Sequence, residues 1–128
     1  MNIPNRADIR YVYILGTEYR IEVHKTSEDD YMREHALSGY CCEEDKIIVI
    51  ADVSEEQYYQ GMSCSAKQRY SNSTLRHEIV HAFLNESGLS DSANVISGSW
   101  AKNEEMVDWF AIQSPKIFSV YKDLGILE

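Results

Sequence analysis

His77-Glu78-Ile79-Val80-His81 places two histidines four residues apart with an acid directly after the first. On a helix, residues at that spacing lie one turn above each other on the same face, so His77 and His81 can offer two imidazole nitrogens to a single ion. Glu78 then sits about a third of a turn round the helix, close enough to hydrogen-bond a water on that ion without taking a coordination position. That is where a general base belongs. Zinc lowers the pKa of its water from about 15.7 to about 7, and a carboxylate beside it can take the proton as hydroxide attacks a polarised carbonyl. The plain alternative is two surface histidines and one more exposed acid, so a complete site needs further residues.

Catalytic zinc usually takes three protein ligands and leaves a position for water. The metzincin continuation, with Gly three and His six residues after the second histidine, fails because Leu84 and Ser87 stand there. A set of two histidines and a glutamate asks instead for a carboxylate on a later helix, and Asn103-Glu104-Glu105-Met106-Val107-Asp108-Trp109-Phe110-Ala111 supplies one. Glu104 and Asp108 share a face, while the apolar residues around them predict a buried helix. Acids there need partners, which a metal and a metal-bound imidazole would provide. Glu104 is therefore expected as the third ligand and Asp108 as acceptor of a histidine ring N–H, fixing its tautomer. Glu105 reads as a first-turn acid complementing the helix dipole, and it remains the other candidate for third ligand.

His77-Glu78-Ile79-Val80-His81 followed by Asn103-Glu104-x-x-x-Asp108 resembles the gluzincin pattern of thermolysin-type zinc peptidases, in which His, His and Glu bind zinc. The Glu-Glu-x-Val-Asp-Trp-Phe-Ala run and the small size are more similar to the compact ImmA/IrrE-like metallopeptidases of phages and other mobile elements. The resemblance covers roughly Thr74 to Ile117 and implies a zincin-like fold and a narrow protein substrate, such as a phage-type repressor or another regulator.

With 128 residues, 44% hydrophobic and 26% charged, the chain reads as one folded domain, 1–128, with a core of its own. A formal charge of −9 would repel phosphate backbones, so direct nucleic-acid binding is not expected, and a DNA-linked SprT-type protease is disfavoured. The first residues lack an apolar signal region and no run is long enough to cross a bilayer, which points to the cytoplasm. Cys41, Cys42 and Cys64 show neither a disulfide framework nor Cys-x-x-Cys spacing, and read as reduced, mostly packed thiols.

The elements that must position these residues follow from patterning. Ile9 to Leu15 and Tyr19 to His24, joined by Gly16-Thr17-Glu18, predict a hairpin, with His24 a surface residue at the strand end. Ser27-x-x-Asp30 caps a short helix before Gly39, on which His35 is solvated. Tyr40 to Cys42 and the continuously apolar Lys46 to Ala51 predict a second hairpin, with Ile47 to Ile50 central and beneath the histidine helix. Ser54-Glu55-Glu56-Gln57 reads as a capping box opening a helix from Glu55 to about Arg69. A break at Ser71-Asn72-Ser73 precedes the histidine helix, Thr74 to about Ser87, which is ended by Gly88 and packed through Leu75, Ile79, Ala82 and Phe83. Leu89 to Ala101 reads as a loop returning Glu104 to the histidines. Ser114-Pro115 opens a last helix bearing Ile117, Val120, Tyr121 and Leu124, stopped by Gly125.

The fold class expected is α+β, a small, mostly antiparallel sheet from the front half packed on helices from the back half. The expected activity is that of a zinc-dependent metallopeptidase acting on a protein or peptide substrate, with zinc on His77, His81 and Glu104 and Glu78 as base. The alternative is a non-catalytic binding module built round a structural metal, which needs a fourth protein ligand from His24, His35, Asp108 or a cysteine.

Overall fold

The computed structural model describes residues 9–87 and 103–123. Alternating β-branched and aromatic residues form β1 (Arg10–Ile14) and β2 (Thr17–His24), paired antiparallel from Arg10↔Ile21 to Ile14↔Thr17. Leu15 and Gly16 make the turn with φ of 50° and 86°, a two-residue connection whose twist matches that of the strands. Next come a single 3-10 turn, Thr26–Glu28, and α1 (Asp30–His35). Asp29, not Ser27, caps α1 by accepting the Met32 N–H at 3.0 Å. Although burial pushes its carboxyl upward, Met32 N–H, His24 and Tyr40 together hold Asp29 below the ordinary carboxylate value. Ser27 instead donates its hydroxyl to Glu55.

β3 (Gly39–Cys42) and β4 (Ile47–Ala51) form the second hairpin, and the sheet order is β1-β2-β4-β3. β4 is therefore internal, and its apolar run is explained by burial on both faces. Two of the three strand pairings are antiparallel, in line with a mostly antiparallel sheet, while β2 and β4 pair in parallel, from Arg20↔Ile47 to His24↔Ala51, so the sheet is mixed and the architecture α+β. One face carries Ile14, Tyr19, Ile21, Ile48 and Ile50 against Leu75, Ile79 and Ala82. The other carries Val49 and Ala51 against Met32 and Tyr59. Each fully buried side chain of this size contributes roughly 1.5–3 kcal/mol.

Three expected boundaries move. The capping box at Ser54 does not form, because Ser54 turns back to Asp52 Oδ1 at 2.6 Å; α2 is only Glu56–Tyr59. The chain breaks at Gly61, with φ of 85°, and Ser63 then caps α3 (Cys64–Glu86), a single 23-residue helix. Ser71-Asn72-Ser73 lies inside it. Within it Asn72 Oδ1 accepts from Gln68 Nε2, one turn earlier, at 2.9 Å, and no Gly or Pro forbids continuation. Phe83 is 42% exposed, since the inward row runs 75, 79, 82, 86 and ends on Glu86 instead.

The last helix, α4 (Glu104–Asp123), continues through Pro115, which removes one backbone donor without ending it. It is also not buried as expected: Val107 and Ala111 are, while Trp109, Phe110, Ile112 and Phe118 are exposed. Among the described residues no helix is long and apolar enough to cross a membrane. The return loop Leu89 to Ala101, the Gly88 and Gly125 stops, Leu124, and the side chains of Ile117, Val120 and Tyr121 lie outside the described residues.

Candidate metal centre

α3 is held to the sheet by Leu75, Ile79 and Ala82, which turns the 77, 78 and 81 positions towards the gap between β3 and α4. Gly39 opens that gap. A Cβ on it would stand 2.7 Å from Thr74 Cγ2, 2.9 Å from the Val49 carbonyl oxygen and 3.4 Å from Glu78 Cγ, so only glycine lets the strand come this close to the helix. At the other wall, Asn103 caps α4 through its side-chain oxygen, which accepts from Met106 N at 2.9 Å. This cap places Glu104 at the first helical position, facing α3.

The geometry brings the paired imidazoles and the expected glutamate together. His77 Nε2 and His81 Nε2 lie 3.2 Å apart, Glu104 Oε2 is 3.2 Å from the first, and Glu104 Oε1 is 3.1 Å from the second. Donors bound at 2.0–2.1 Å round a tetrahedral ion stand about 3.3 Å from one another. The donor set therefore fits zinc in both spacing and chemistry. His77, Glu78 and His81 also each offer an atom within 4.8 Å of the others, but Glu78 Oε1 stands 3.8 Å from His77 Nε2. Of the two glutamates, Glu104 has the better-placed oxygens. It is Glu104 and not Glu105 that meets both histidines.

Asp108 Oδ1 is 2.5 Å from His77 Nδ1. A carboxylate only accepts, so Nδ1 carries the proton, and in the neutral ring Nε2 presents its lone pair to the centre. Burial, with His77 nearby, pushes His81 below the ordinary imidazole value despite the pull of Glu104, which favours the neutral form a metal requires. Glu78 is 6% exposed. Burial pushes its carboxyl up to about 7, with His77 opposing and Glu104 and Asp108 adding to the rise.

These groups line a cleft of about 650 Å³. The residues considered as a fourth ligand lie elsewhere or are unsuited. His24 is fixed between Asp29 Oδ2 at 2.7 Å and Glu22 Oε1 at 3.3 Å, and His35 Nδ1 lies 3.1 Å from the Tyr31 carbonyl oxygen. Asp108 engages the far nitrogen of His77. Cys41 lines the cleft, but burial, helped by Glu78, pushes its thiol up to about 12, which keeps it protonated and a poor ligand. Gly39 and Asn103 were not legible as site-forming residues: one reads as a turn before a strand, the other as the residue preceding an acidic run. An Asn three residues ahead of an apolar position was the available signal for the cap.

Set against protein-family models, curated proteins and solved structures, the chain finds no match in any of the three. The functional reading therefore stands on the residues themselves.

Proposed function

We propose that this protein is a zinc-dependent peptidase, with His77, His81 and Glu104 as metal ligands and Glu78 as the general base. The observation that carries the reading is the convergence of two Nε2 atoms and a carboxylate at 3.1–3.2 Å from one another beside a buried acid on an open cleft. Zinc held there would supply a Lewis acid that polarises a substrate carbonyl and acidifies water. Glu78 takes the proton of the attacking water and passes it to the departing amine. Burial pushes its carboxyl up to about 7, and a divalent cation beside it would draw it down again, leaving the carboxylate ionised to accept that proton. Asp108 keeps the His77 ring oriented, and Asn103 keeps Glu104 at the start of its helix. The likeness of the motif to ImmA/IrrE-like metallopeptidases extends the proposal to a narrow substrate, a phage-type repressor or similar regulator.

The test is zinc content together with cleavage of candidate repressors by wild type and variants. Glu78→Gln keeps the metal and cleaves about 10²–10⁴-fold more slowly. Asp108→Asn weakens zinc binding by about 10–100-fold. Glu104→Gln loses zinc whereas Glu105→Gln keeps it. Cleavage by Glu78→Gln at the wild-type rate would remove the proposed base.

A further inference from the structure

α4 runs back along α3 in the opposite direction. Glu104 meets both histidines, and Asp108, one turn further on, meets His77 alone. The next turn carries Ile112 past the histidines, to the level where Tyr70 stands on the same face of α3, seven residues and roughly 10 Å before His77. Both line the cleft. Leu37 lines it from the opposite wall, just ahead of Gly39, which touches Thr74 one turn from Tyr70. Tyr31 joins them beside the start of β3, where its ring meets that of Tyr40 edge to face at 5.0 Å. Four separate segments thus bring an apolar side chain to the end of the cleft beyond His77, and none of these residues belongs to the metal centre.

These side chains are held open to the cleft instead of packing on one another. Ile112 is 55% exposed, Tyr31 51% and Tyr70 41%. The two rings are nevertheless braced from behind. Tyr40, against Tyr31, donates its hydroxyl to Asp29 Oδ2 at 2.9 Å, and Tyr59, against Tyr70 at 5.8 Å, is buried. Leu37 is presented by a strained link. Ala36 ends α1 with a left-handed φ of 52°, a conformation costly for any residue with a Cβ, and the Leu37 N–H then turns back to the Met32 carbonyl oxygen at 2.9 Å. Large apolar surface left bare in a concave wall, on braced rings and a strained turn, is the character of a surface that a ligand covers.

We infer that this end of the cleft receives a phenylalanine or tryptophan side chain of an extended peptide, about three residues from the bond beside Glu78. The interval follows from the roughly 10 Å between the levels of Tyr70 and His77 and a strand rise of about 3.3 Å per residue. An aromatic occupant suits walls that include two tyrosine rings, which a third ring meets edge to face or offset. This deepens the peptidase reading and rests on it for what happens at Glu78. The aromatic preference itself is a property of binding and is measured without turnover.

The probes are three fluorescein-labelled, end-blocked peptides of alanine and glycine that differ at one position, which holds phenylalanine, leucine or serine. The protein is the full Glu78→Gln chain supplied with zinc, titrated by fluorescence anisotropy. The phenylalanine peptide binds about tenfold tighter than the serine peptide, and the leucine peptide falls between. Adding Ile112→Ala or Tyr70→Ala narrows the gap to about threefold, whereas Trp109→Ala, as exposed as Ile112 on the same helix but outside the cleft, leaves it whole. Ile112→Ala, at an exposed position, keeps the test valid if Tyr70→Ala disturbs the fold through Tyr59. Equal binding of the three probes, or a gap that survives both cleft substitutions, overturns the inference. Wild type cuts the phenylalanine peptide about three residues from the ring, and a cut next to the ring would overturn the placement. Selective binding of a phenylalanine peptide that wild type leaves whole would uphold the aromatic site and sink the peptidase reading instead.

Discussion

Glu86 shows what a single carboxylate at the end of α3 does for the fold. It accepts from Lys46 Nζ at 2.7 Å, Tyr19 OH at 2.7 Å and Thr17 Oγ1 at 2.8 Å, tying the helix end to β2 and to the turn before β4. Those three donors hold its carboxyl down to about 2, from an ordinary value of 4.5. A depressed acid stabilises the folded state fully above its unfolded value and loses that contribution as pH falls through the folded value. Urea midpoints measured across acid pH should therefore fall between about 4.5 and 2, and by less in Glu86→Gln than in wild type. Identical slopes for the two proteins would rule the residue out as a source of acid lability. Legibility at this scale was uneven. His77, Glu78 and His81 were readable because helix periodicity alone sets their spacing. Glu86 was not, since its three donors lie 40 to 69 residues away in sequence.

Among the elements, the approach of β3 to α3 has the least tolerance. Gly39→Ala would put a methyl group 2.7 Å from Thr74 Cγ2 and 2.9 Å from the Val49 carbonyl oxygen. The second contact is backbone, so the strand or the helix must shift. The expected cost is about 1–3 kcal/mol in chemical denaturation, with a loss of the proposed peptidase activity beyond it, because Glu78 Cγ is the next atom out, at 3.4 Å. An unchanged denaturation midpoint would mean the gap closes more loosely than described. Both hairpins and the histidine helix were legible from alternation and periodicity. The end of α3 near Ser87 was legible too, but the boundaries at Ser54, Ser71 and Ser114 were not. Ser54, Ser71 and Ser114-Pro115 all carry boundary chemistry, but Ser54 bonds to Asp52, Ser71 rides within α3, and Pro115 is carried inside α4. The true break, at Gly61, had weaker local signals than the false ones.

Over the whole molecule, the parallel pairing of β2 with β4 was the main topological feature that patterning could not supply, since local alternation does not say which hairpin strands become neighbours. The meeting of Glu104 with the histidines was anticipated, but for a wrong reason: α4 is largely exposed, and its side chain is 67% exposed. The principal packing of α4 is against α3, with Val107 and Ala111 its buried side chains and the two carboxylates reaching across to the imidazoles. Zinc at a hundredfold excess over its dissociation constant should raise stability by about 2.7 kcal/mol and slow amide exchange in α4 more than in the sheet. Equal protection of α4 with and without the ion would mean Glu104 is no ligand. Were the proposed ion bound, so thinly anchored a helix would make it a bolt as much as a reagent. On the proposed reading, a chelator would loosen a wall of the crevice in the same event that removed the Lewis acid.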